Sequence, residues 1–124
     1  AFFSMPLVEA NQSHKRVVPH SGVVDLTCSA GYYWLHAHLF VSDHPYFTRT
    51  DAEGRFRLDQ VPAGTYDVVC WLPSWHVARS ERDPENAVTA RLLWQAPKEQ
   101  TRRVAVEPGQ SSQVDWSWGL EMIR

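Results

Sequence analysis

Thr50-Asp-Ala-Glu-Gly54 is followed at once by Arg55-Phe-Arg-Leu-Asp59, and then by Val61-Pro-Ala-Gly-Thr-Tyr66. Asp51 to Gly54 spells a tight turn, because glycine takes the positive φ that such turns demand. Phe56 and Leu58 alternate with Arg55, Arg57 and Asp59, the period of a half-buried strand. Pro62-Ala-Gly64 is a second turn, after which Tyr66, Val68 and Cys70 alternate with Asp67, Val69 and Trp71. A chain that turns, extends and turns again at this spacing builds small antiparallel sheets rather than helices.

The same period recurs elsewhere. Phe2 to Val8 reads as a short edge strand interrupted by Pro6, and Val23 to Cys28 as a longer one. Tyr33 to Val41 carries Leu35, Ala37, Leu39 and Val41 on one face, with Trp34, His36, His38 and Phe40 on the other. Strands are also expected over 88–95, 101–107 and 112–119, the last with Val114, Trp116 and Trp118 on a common face. The segment Val77-Ala-Arg79 is too short to assign. No stretch has helical periodicity. The fold class expected is all-β, an antiparallel β-sandwich of about seven strands. At 124 residues the chain has room for one domain, 1–124.

Residues Thr50 to Tyr66 resemble the carboxypeptidase regulatory-like family of β-sandwich modules, whose pattern runs T-D-x-x-G-x-F-x-L, then V-P-x-G-x-Y. A second resemblance precedes it. Ser21-Gly-Val-Val-Asp-Leu-Thr-Cys28-Ser-Ala-Gly31, then Trp34, Ala37, Val41 and Asp43-His-Pro-Tyr46, is similar to the last strands of bacterial cupredoxins that run into a regulatory-like sandwich. The two together imply cupredoxin-like C-terminal strands over 1–41, continuous with a regulatory-like sandwich over 42–124. Blue copper needs a thiolate, two imidazoles and a weak thioether. Cys28 stands at the thiolate position, but Tyr32 and Leu35 stand where the resemblance places histidine and methionine, and the segment carrying the first histidine is absent. The resemblance therefore carries the fold and not the copper.

Composition narrows the function classes. The formal net charge is −2, so a basic surface for nucleic acid is lacking. No apolar run approaches the ~20 residues needed to span a bilayer. The chain opens on Ala1 rather than Met, which fits either a cleaved signal peptide or a trimmed end, and a periplasmic or extracellular location is the expectation. The two cysteines, Cys28 and Cys70, either pair as a disulfide or remain two small hydrophobic thiols. The nucleophile-elbow, zinc-protease and phosphate-loop motifs are all missing, so no enzyme activity is expected and no catalytic residue is nominated.

Two side-chain groups remain to be explained. His36 and His38, two apart in a strand, project from one face about 7 Å apart, a spacing compatible with metal ligation. The function expected is a non-catalytic exported accessory module that docks on a protein partner or a second copy through Trp34, His36, His38 and Phe40. No cofactor is expected. One alternative is a copper-binding or electron-transfer protein using Cys28, His36, His38 and His44. The other draws on the six tryptophans: exposed rings stack on sugars, which would make the chain a carbohydrate-binding module.

Overall fold

The computed structural model describes residues 3–120. It contains six strands: β1 (Gly22–Thr27), β2 (His36–Val41), β3 (Gly64–Leu72), β4 (Val77–Arg82), β5 (Thr89–Trp94) and β6 (Lys98–Val106). They pair as three antiparallel two-stranded sheets, β1 with β2, β3 with β6, and β4 with β5. The all-β antiparallel class follows directly. β3 keeps the period read from its sequence, with Tyr66, Val68 and Cys70 half-buried and Asp67 and Val69 exposed.

The turns explain where the strands stop. Asp51 Oδ1 accepts from the backbone N–H groups of Glu53 and Arg55 at 3.0 and 2.8 Å, and Gly54, at φ +80°, donates to the Asp51 carbonyl. This Asx-type turn consumes the local hydrogen bonds, and Arg55 to Asp59 leaves it extended but outside any ladder. Phe56 and Leu58 are half-buried all the same. Gly64 begins β3 at φ +157°, and the Tyr66 hydroxyl donates back to the Pro62 carbonyl at 2.6 Å.

Besides Arg55 to Asp59, four strand assignments differ from the sequence expectation. Tyr33 and Trp34 lie in a turn closed by the Leu35 N–H on the Tyr32 carbonyl, so the expected strand starts only at His36. Residues 3–8 form no ladder, and Phe2 lies outside the described residues. Val77-Ala-Arg79 is too short to assign from sequence and Ser80 onward reads as loop, yet Val77 to Arg82 is a strand with bulges against β5. Residues 112–119 are not a laddered strand. They run along β6 on side-chain ties instead: Ser112 Oγ donates to the Ala105 carbonyl at 2.6 Å, Gln100 Nε2 donates to the Ser117 carbonyl at 3.0 Å, and the Arg102 guanidinium sits 5.5 Å over the Trp116 ring. Val114, Trp116 and Trp118 are half-buried in alternation, as their spacing predicts.

The sheets meet through aromatic side chains rather than shared strand edges. Trp71 of β3 meets His38 and Phe40 in T-shaped contacts at 5.0 and 4.8 Å between centroids, and Trp94 of β5 stacks on His36 at 5.3 Å. One face of β2 is thereby layered against the other two sheets, β3–β6 and β4–β5. Among the described residues no side chain is fully buried. The interior is a band of half-covered rings.

Candidate functional site

The register of the first hairpin builds the site. Directly opposite residues of an antiparallel pair share a face. Asp25 pairs with His38 and Thr27 with His36, so the two imidazoles and one carboxylate project together. His38 Nδ1 lies 2.8 Å from Asp25 Oδ1, and the His36 and His38 rings are 4.3 Å apart. An ionised carboxylate only accepts, so Nδ1 of His38 is the donor. One donor atom each from Asp25, His36 and His38 falls within 4.8 Å of the other two.

The flanking rings hold the imidazoles in place. Trp94 lies nearly parallel to His36, at 9°, and Trp71 meets His38 at 79°. Burial lowers the pKa of His36 below its usual 6.5, the neighbouring His38 lowers it further, and Asp25 opposes both. At neutral pH His36 is therefore an uncharged imidazole with a lone pair available.

The other residues nominated from sequence lie apart from this group. Cys28 lies just past the end of β1 and is not among the donors that converge with the histidines. Both Cys28 and Cys70 are free thiols. His44 orders its own loop: its Nδ1 accepts from the Tyr46 N–H at 3.2 Å, and its ring stacks on Tyr46. Trp34 stands outside the β2 face, in edge contact with Tyr32 and Tyr33, and is 54% exposed. His36, His38 and Phe40 do share a face, as their spacing requires, with Trp71 and Trp94 against it. Asp25, Trp71 and Trp94 were not visible as site residues in the sequence. The signal for Asp25 is its cross-strand register with His38, which requires knowing how the β1–β2 turn closes.

An all-β chain whose strands pair only in antiparallel fashion fits a fibronectin type III-like β-sandwich domain. The family model for polysaccharide lyase family 4, domain II, matches residues 11–89, and the chain belongs to that family. The matched region takes in β1 to β4 and the first residue of β5, and so includes Asp25, His36 and His38. No curated protein and no solved structure matches the chain. Among the described residues, no helix is long and apolar enough to cross a membrane.

Proposed function

We propose that this chain is a non-catalytic accessory module of an exported polysaccharide-processing protein, a single domain over 1–124, and that it docks on a protein surface. Of the expected face Trp34, His36, His38 and Phe40, the docking surface uses the exposed rings: Trp34 with Tyr32 in the turn before β2, and the uncovered part of Phe40 near the other end of that strand. The observation that carries this reading is the amount of apolar surface left uncovered there. Tyr32 is 53% exposed, Trp34 54% and Phe40 46%, while no described side chain is fully buried. The accessible surface, 10600 Å², exceeds the roughly 6800 Å² expected of a compact monomer of this mass. A chain that leaves this much apolar area in water gains by covering it.

The experiment compares wild type with Trp34→Ser and Phe40→Ser. Light scattering over a range of concentrations reports self-association, and capture from the culture fluid of the producing cells reports a heterologous partner. Contact by either route, lost in both variants, supports docking through this face. A monomer whose captured proteins do not depend on Trp34 or Phe40 overturns it.

A second reading has its own support. Membership of a polysaccharide lyase family, together with Trp34 and Trp75, the latter 57% exposed, favours sugar stacking. Quenching of tryptophan fluorescence by soluble polysaccharide, abolished by Trp75→Ala or Trp34→Ala, would select it.

A further inference from the structure

We propose that Asp25, His36 and His38 form a three-ligand site for a divalent first-row transition ion, with Zn(II) as the occupant. The argument starts from the donors. Two imidazole nitrogens and one carboxylate oxygen, with no thiolate, make an intermediate set that suits zinc, copper and nickel better than calcium or magnesium. Their convergence is imposed by the backbone: His36 and His38 share a strand face, and the register sets Asp25 opposite His38. The three donors already lie within 4.8 Å of one another. An ion with bonds of about 2.1 Å spans adjacent ligands at about 3.0–3.4 Å, so rotations of under about an ångström at each side chain close the site.

The shortest edge is already formed. His38 Nδ1 and Asp25 Oδ1 are 2.8 Å apart. The ion takes the place of the proton they share, and the imidazole then carries its proton on Nε2. Stacking on Trp94 and the edge contact with Trp71 hold the two rings near these positions before any ion arrives. Three protein ligands leave one tetrahedral position for water, on the solvent side where the Asp25 side chain is 67% exposed. Cys28 is not among the converging donors and takes no part. The site therefore differs from a blue-copper centre in both ligands and location.

The test uses tag-free protein. Zn(II) is titrated by calorimetry, and Co(II) is followed by its visible bands and by quenching of tryptophan fluorescence through Trp94. The expected result is one equivalent bound. Affinity should fall at least about 100-fold in His36→Gln and in His38→Gln, and about 10- to 100-fold in Asp25→Asn. His44→Gln and Cys28→Ser should leave it unchanged. Cu(II) should bind at the same stoichiometry without the intense visible band of a copper–thiolate bond. Circular dichroism checks the fold of each variant, and Asp25→Asn, at an exposed position, keeps the test open where a histidine variant unfolds. No binding by wild type, binding retained in folded His36→Gln and His38→Gln, or loss of binding in His44→Gln overturns the proposal.

Discussion

Gly64→Ala tests how the chain enters β3. At φ +157° the backbone lies where an L-residue is strained, a cost of about 1–3 kcal/mol. Restricting the unfolded chain returns about 0.4–1 kcal/mol. The new Cβ would also sit 3.2 Å from the Tyr66 hydroxyl oxygen and 3.3 Å from its ring carbon Cζ. That hydroxyl is tied to the Pro62 carbonyl at 2.6 Å, so moving the ring aside breaks a hydrogen bond with a net value of about 1 kcal/mol. The expected total is a loss of about 2 kcal/mol, read as a lower urea midpoint at unchanged m-value. A double-mutant cycle separates the parts. In a Tyr66→Phe background the hydrogen bond is already gone, so Gly64→Ala should cost about 1 kcal/mol less than in wild type. Gly54→Ala is the control, since its φ is +80° but nothing lies within 4 Å of the added Cβ, and only backbone strain remains. Strict additivity of Gly64→Ala and Tyr66→Phe, or a neutral Gly64→Ala, would refute the clamp between Tyr66 and Pro62.

Two further predictions concern titration and the thiols. The folded pKa of His36 lies below the unfolded value of 6.5, because burial and His38 outweigh Asp25, so acid favours the unfolded chain. Its contribution to stability is complete above about pH 6.5 and lost as pH falls through the folded value. Urea midpoints measured across this range should drop on acidification, with a shallower slope in His36→Gln; an identical slope in the two proteins would contradict this. Cys28 and Cys70 are free, so a thiol reagent should titrate two groups per chain after denaturation without reductant. A titration of none would show that they pair.

The turns at Asp51 to Gly54 and Pro62 to Gly64 and the alternation of β3 were legible because each is local, set by φ, Asx chemistry and a two-residue period. The alternation of Val114, Trp116 and Trp118 likewise predicted which side is covered. It did not show that residues 112–119 would be tied to β6 by Gln100, Arg102 and Ser112 rather than by a backbone ladder, because alternation reports burial and not hydrogen bonding. The candidate site was half legible. The His36 and His38 pair follows from spacing within one strand. Asp25, Trp71 and Trp94 reach it from three other strands, through a register and a layering that no local pattern encodes. Trp34 shows the reverse limit, since an unbroken alternation from Tyr33 onward concealed the turn that removes it from the β2 face.

Each of the three ladders is only two strands wide. In an antiparallel pair, alternate residues turn their backbone N–H and C=O groups toward the partner, while those between turn theirs outward. Strands β1 to β5 thus carry on their open sides rows of donors and acceptors that their own ladders do not use, while β6 is flanked by residues 112–119, with its Ala105 carbonyl taken by Ser112. An extended segment laid beside such an edge would find a template already in step, so the main chain itself is a surface on which another strand can grow.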